Sequence, residues 1–438
     1  MKKKYDFQKI FWSISFGFII TCIFWYGGRF IYLYLENDKK LEVTKNVLTL
    51  SNSIKDQYFN TESLKQVKED YYLHGNDINN YVSYSNLLWR VVKINKDDSI
   101  VLVTENVVGT LAYSDSTVSY NESNINKWLN EEKFIKMLKS RDYYLVNNSI
   151  CIDEVSNVSD TSCNIKDDSS YIGLLSLNDY LNTGGNNGFI NNNKYTYLTN
   201  KTSENKVWYI TDEGKLDNSD GSEIIGLRPT ITLKPNLEIE GGNGTIESPY
   251  VFTGENEFIG SYVKLDNDIW RIYEEDEELV KLVLDDTLKF NEENVVYSYS
   301  TTTYNYNDKE KNSLAYYLNK DYYNTLSYKD LIVENTYKNG LYDIENKFNH
   351  NEIANNTINT KVSIPSIDDI IFNDNTLDYF TSTSKSSNKE AIYVQNKSGI
   401  ISPRLVNSKS NIRPCISIKK ETLISGTGSK TDPYGVVN

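Results

Sequence analysis

Histidine is almost missing from this chain of 438 residues: His74 and His350 are the only two, and Met also occurs only twice. Imidazole is the commonest side-chain base near neutral pH and a frequent metal ligand, so the chemistry open to the chain is narrow. His74 and His350 do not recur at matching places in the sequence, which excludes one histidine mechanism used twice. Proline is scarce at 7 and glycine stands at 22, which excludes collagen-like and proline-rich architectures. Positive charge is in deficit, 46 basic against 60 acidic residues for a net charge of -14, so no long-range field draws in nucleic acid. What is present in quantity is aromatic: 35 Tyr, 15 Phe and 6 Trp within a hydrophobic share of 39%. That is enough to build a core, in two to four units at about 150 residues each.

Charge is unevenly placed. Residues 1–40 hold seven Lys and Arg against three Asp and Glu, so the remaining residues carry -18. Inside this basic end, Ile10 to Tyr26 is an uncharged apolar run, and it continues to Tyr34 with Arg29 as its only charge. As a helix, residues 10–34 would reach about 37 Å, enough to cross a hydrocarbon layer of about 30 Å. Trp12, Trp25, Tyr26, Tyr32 and Tyr34 suit the aromatic belts of a membrane interface. Phe24, Trp25 and Tyr26 are bulky where a signal peptidase needs small residues, so the expectation is an uncleaved transmembrane anchor. Lys2, Lys3, Lys4 and Lys9 place residues 1–9 in the cytoplasm and the C-terminal domains outside the cell. Residues 35–71 lack strand alternation and keep no heptad, which reads as a juxtamembrane stalk.

Beyond residue 71 the sequence repeats itself. Tyr81–Ile94, YVSYSNLLWRVVKI, resembles Tyr262–Tyr273, YVKLDNDIWRIY, and aligns Trp89-Arg90 with Trp270-Arg271. Leu129-Asn130 aligns with Leu318-Asn319, Leu174–Leu181 with residues around Val362–Ile371, and Arg228-Pro229 with Arg413-Pro414. Gly242–Phe252 aligns with Gly426–Val436. Five anchors in one order at nearly constant offset define two repeat domains, 72–252 and 258–438, joined by the polar residues 253–257. Within each, β-branched runs at Leu87–Ile94 and Ile100–Thr104, and at Ile269–Tyr273 and Leu279–Leu284, predict hairpins. Ser123–Leu138 predicts a helix capped by Ser123, and Ser176 with Asp179 predicts a capping box on a short second helix. The fold class expected is α+β: an N-terminal transmembrane helix followed by two tandem homologous α+β domains.

Candidate site residues are few. Trp89, Arg90, Trp270 and Arg271 lie in apolar strands, where a buried Trp beside an outward Arg is ordinary alternation and a surface pair would suit carbohydrate stacking. Arg228 and Arg413 precede a strand-opening Pro, as groups that bind a carbonyl, an acidic side chain or a ligand carboxylate. The Gly426–Thr431 loop superficially resembles a phosphate loop, but Pro433 forbids the helix such a loop needs and its counterpart at Gly242–Thr245 has no Lys. The acidic stretch Asp212 to Glu223 misses the spacing of a helix-loop-helix calcium site. Cys151 and Cys163, twelve apart in a polar loop, are a disulfide candidate, worth about 3 kcal/mol on the chain-entropy model. Cys415 reads as a buried small residue. No catalytic residue, metal ligand or cofactor site emerges.

The Trp-Arg strand, the Trp-Leu-Asn helix, Leu-Leu-Ser-Leu, the Arg-Pro strand and the closing Gly-x-Gly-Thr-x-x-x-Pro-Tyr together resemble a domain family of surface and membrane-anchored proteins of low-GC Gram-positive bacteria. The resemblance covers residues 72 to the C-terminus. It implies a fold like that of C-type lectins and formylglycine-generating enzymes. The second repeat departs from the pattern at Tyr317, Val362 and Cys415. The lectin-type Glu-Pro-Asn, Gln-Pro-Asp and Trp-Asn-Asp sugar motifs are absent, and no base or second thiol accompanies Cys415. The functional expectation is therefore a single-pass cell-surface protein that binds or scaffolds, with the membrane and a cell-wall glycan or surface protein as partners. An envelope-modifying enzyme, or a component of a surface or secretion assembly, is the alternative.

Overall fold

The structure is a computed structural model, and it describes residues 29, 48–114, 119–158, 162–252, 258–300, 306–339, 341–342, 357–367, 369, 372, 377–385, 390–395 and 399–436. Contacts separate Met1–Leu48 from a compact unit, Thr49–Asn438. The apolar segment 10–34, apart from Arg29, lies outside the described residues, as do residues 253–257 and His350. Among the described residues no helix is long and apolar enough to cross a membrane.

The expected α+β class, with its transmembrane helix and C-type-lectin-like domains, is corrected by what the chain builds: the described residues are mostly β-sheet. The longest helix among them, Leu50–Gln57, has 8 residues. The single helix expected over Ser123–Leu138 breaks into an α-turn at Asn124–Lys127, a π-turn at Trp128–Glu132 and a 3-10 turn at Phe134–Met137. The reason lies in Asn130. Its Nδ2 donates to the Ile172 carbonyl at 2.9 Å, and the Ile172 N–H donates back to its Oδ1 at 3.1 Å. The amide thus stands in for a neighbouring strand, and the wider π-turn brings it there.

In the first half, Leu87–Ile94 lies between Tyr81–Tyr84 and Ile100–Thr104; Pro229–Leu233 and Ile172–Leu174 extend the sheet, and Tyr250–Val251 runs parallel to Tyr81–Tyr84. In the second half, Asp268–Glu275 lies between Tyr262–Leu265 and Leu279–Leu284, continued by Cys415–Lys419 and Val362–Ser363, with Tyr434–Val436 parallel to Tyr262–Leu265. Registers coincide: Val82 faces Trp89 and Tyr250, and Val263 faces Trp270 and Tyr434. Both long strands carry an irregularity at the same place, between Val91 and Lys93 and between Ile272 and Glu274.

Each half also has an outer sheet in one common order. Leu216–Ser219, Val207–Ile210, Thr196–Lys201, Ile224–Leu227 and Gly109–Ala112 follow one another in the first, and Ile400–Leu405, Glu390–Gln395, Tyr379–Lys385, Lys409–Asn411 and Val296–Ser298 in the second. Between the sheets sit the bulkiest buried side chains, among them Trp89, Trp128 and Trp270, each with no exposed surface. Burying a ring of that size stabilises by roughly 3 kcal/mol.

The segment read as a stalk enters the fold at Thr49. The Leu50–Gln57 helix starts with its first N–H on the Leu237 carbonyl at 3.0 Å and buries Leu50 and Ile54. The hairpin of Leu64–Val67 and Asp70–Leu73 then adds to the sheet edge, pairing Tyr72 with Lys93. Its sequence showed no alternation because Leu64 to Val67 covers a sheet edge with no fully buried residue.

Candidate ligand cleft between the two halves

The two halves meet through a hairpin turn. Ser85 and Asn86 both take positive φ, 51° and 55°, the two-residue turn that matches strand twist. Asn86 Nδ2 donates to the Ile259 carbonyl at 2.9 Å, and Arg271 Nη2 donates to the Asn86 carbonyl at 3.3 Å. Gly260, at φ 85°, is required there, since a β-carbon would come within 2.7 Å of Asn86 Cβ. A charge cluster reinforces the contact. Lys133 of the first half reaches Glu274 at 2.8 Å and Asp369 at 3.7 Å, and Lys281 reaches Glu274 at 2.8 Å. Burial acts to raise the Glu274 carboxyl, but the two lysines hold it down to about 2.

Trp89 and Trp270 are fully buried, Trp89 with its indole N–H on the Tyr84 carbonyl at 2.9 Å. Arg90 and Arg271 are not outward: each is buried, with 5% and 6% of its surface exposed, and meets two rings. The Arg90 guanidinium lies 4.0 Å from the Tyr81 ring centroid and 4.7 Å from that of Phe189; Arg271 lies 4.8 Å from Tyr262 and 4.1 Å from Phe372. Arg90 also contacts Asn80 Oδ1, the Ile78 carbonyl and Glu105. Contact with two rings apiece suits each Arg to bracing the chain.

Arg228 and Arg413 bind carbonyls. Their Nε groups donate to the Thr104 and Leu284 carbonyls at 2.8 and 2.7 Å, each at the end of the neighbouring strand. Arg228 adds the Ile190 carbonyl at 2.5 Å, and burial draws its guanidinium down to about 10. Arg413 adds Tyr379 Oη and the Phe372 carbonyl. Of these four arginines, Arg271 lines a cleft.

Cys151 and Cys163 are joined as a disulfide with their Cα atoms 5.9 Å apart. Beside it, Asp153 accepts the N–H groups of Asn164 and Ile165, so its buried carboxylate ties the loop at the bridge. Cys415 is fully buried, and burial pushes its thiol above the ordinary range.

The open space beside Arg271 is a cleft of about 570 Å³ between the halves. Its first-half wall carries Ser83, Asn86 and Asn106, and its second-half wall Tyr262, Arg271, Ser429, Lys430 and Thr431. The glycine loop is a turn: Gly426 and Gly428 have φ 82° and 74°, and the Gly428 carbonyl accepts the Tyr262 N–H at 2.8 Å. It nevertheless places Lys430 at the cleft, 3.8 Å from Asp285 and with a side chain 66% exposed. The charged side chains among the described residues of its lining are Arg271 and Lys430.

Asn86 and Asn106 escaped sequence reasoning, which met Lys430 only within a loop read as a turn. The one available signal was the departure between repeats: Ile246 of the first half stands where the second has Lys430. No family model, no curated protein and no solved structure matches this chain, so the functional reading rests on its own residues.

Proposed function

We propose that Thr49–Asn438 is an extracytoplasmic binding module that takes a hydroxyl-bearing anionic ligand, of the kind an acidic cell-envelope glycan presents, in the cleft between its halves. The cleft itself carries the reading: about 570 Å³ bordered by Arg271 and Lys430 and by the amides and hydroxyls of Asn86, Asn106, Ser429 and Thr431. Amides and hydroxyls match sugar hydroxyls, and an exposed ammonium matches a carboxylate or phosphate. The chain's net charge of -14 does not oppose this, because salt screens fields beyond about 8 Å. The disulfide supports a location outside the cytoplasm, where such bonds persist.

An array of acidic and neutral envelope glycans, probed with the purified protein, tests the proposal. Binding to acidic glycans is expected, with a loss of about tenfold or more in Lys430→Glu, since reversing one exposed charge removes an attraction and adds a repulsion. Absence of binding, or equal binding by Lys430→Glu, would overturn it and leave a scaffold.

A further inference from the structure

A second cavity, of about 250 Å³, opens where the Ile400–Leu405 strand of the second half meets the outer sheet of the first. Ile224, Ile225, Ile400 and Ile401 give it apolar walls. Tyr195 and Tyr209 complete it, with ring centroids 6.0 Å apart and planes inclined by 37°. Carboxylates stand near both phenols: Tyr209 donates to Asp217 Oδ2 at 3.1 Å, and the charge of Asp212 acts on Tyr195. Glu223 stands on the lining itself. Burial and these carboxylates push both phenols above their ordinary range, which marks the local potential as negative. Of the cations near it in sequence, Lys215 is engaged by Glu213 at 2.5 Å, Lys206 by Glu204 at 3.6 Å and Arg404 by Asp378 at 3.4 Å, and Lys194 directly precedes Tyr195. Two electron-rich rings, apolar walls and neighbouring carboxylates are the groups that hold a soft organic cation: the rings meet its methyl or methylene shell, and the acids supply the countercharge.

We propose that the cavity of Tyr195, Tyr209 and Glu223 binds an organic ammonium group, separately from any ligand of the cleft beside Arg271. The apolar walls exclude a strongly hydrated metal cation and favour a substituted ammonium. The acidic stretch from Asp212 to Glu223, which lacks calcium spacing, acquires a role as the countercharge of this cavity.

The test is calorimetric titration of the full chain with choline and, in parallel, with 3,3-dimethylbutan-1-ol, which has the same shape without the charge. Choline is expected to bind at least about tenfold tighter than the alcohol. Tyr209→Ala should weaken choline roughly 3- to 30-fold, the range for one cation–ring contact. Tyr209→Phe keeps the ring and should stay within about threefold of wild type, and Asp217→Asn, at an exposed position, should weaken choline while leaving the alcohol unchanged. Equal binding of the two probes would overturn the proposal, as would no choline binding. So would choline binding unchanged in both Tyr209→Ala and Asp217→Asn.

Discussion

Removing the charge of Lys133 isolates the electrostatic part of the contact between the halves. At equivalent places in the two long strands the first half has Lys93 and the second Glu274. Lys93 finds Asp179 within its own half at 3.0 Å, whereas Glu274 needs cations from elsewhere, and Lys133 of the first half is one of the two. Lys133→Met keeps the aliphatic stem and deletes the ammonium. The fall of the Glu274 carboxyl from an ordinary 4.5 to about 2 corresponds to roughly 3 kcal/mol at full weight. The Glu274 side chain is 36% exposed and shared by two lysines, so screening and division leave about 1 kcal/mol for Lys133. The sign with pH follows. An unfolded Glu takes up its proton near 4.5 while the folded one resists until about 2, so this stability is present above 4.5 and is lost as pH falls towards 2. Urea unfolding of both proteins should therefore differ by about 1 kcal/mol at pH 7, with the gap closing between pH 4.5 and 2. A gap of the same size at pH 2.5 and pH 7 would refute the charge argument and indicate lost packing instead.

Asn130→Ala should cost about 2 kcal/mol, because it strands the Ile172 N–H inside the protein and leaves the Ile172 carbonyl with only the long contact from the Tyr120 hydroxyl at 3.4 Å. Asn130→Asp should do no better, since a carboxylate oxygen then faces the Ile172 carbonyl, and Asn319→Ala should repeat the effect at Val362; urea midpoints within error of wild type would count against the strand-mimic role. Cys151→Ser should destabilise by about 3 kcal/mol through the 12-residue separation of the bridge, and a reductant should bring wild type to the same level. Insensitivity of wild type to reductant would refute the bridge as a stabilising link.

Residues whose surroundings are supplied by their own sheet were legible along the chain. Trp89 and Trp270 stand out because a fully buried indole in a β-branched run leaves an invariant local pattern, and the Arg-Pro pairs because each Arg caps the strand beside it. The helix over Ser123–Leu138 could not be drawn correctly, because the group that breaks it, the Ile172 backbone, lies 42 residues away from Asn130. The predominance of sheet was hidden for a related reason. Many strands are only two to four residues long, such as Val362–Ser363 and Lys409–Asn411, too short to show alternation, and they exist through their partners.

By itself the sequence determined the poverty of histidine, the acidic balance, the recurring anchors and the two cysteines close enough to bridge, since these depend on composition and short-range order. Only the tertiary structure decided that Thr49 to Leu73 joins the fold, that Arg90 and Arg271 each meet two rings, and that Lys430 lines the same cleft as Asn86. The physical reason is separation along the chain. The cleft joins a turn at Ser85-Asn86 to a loop at Gly428–Thr431, and the aromatic cavity joins Tyr195 and Tyr209 to Ile400 and Ile401. No local propensity encodes such meetings; they follow from packing two sheets-on-sheets side by side, which fixes what each surface leaves open.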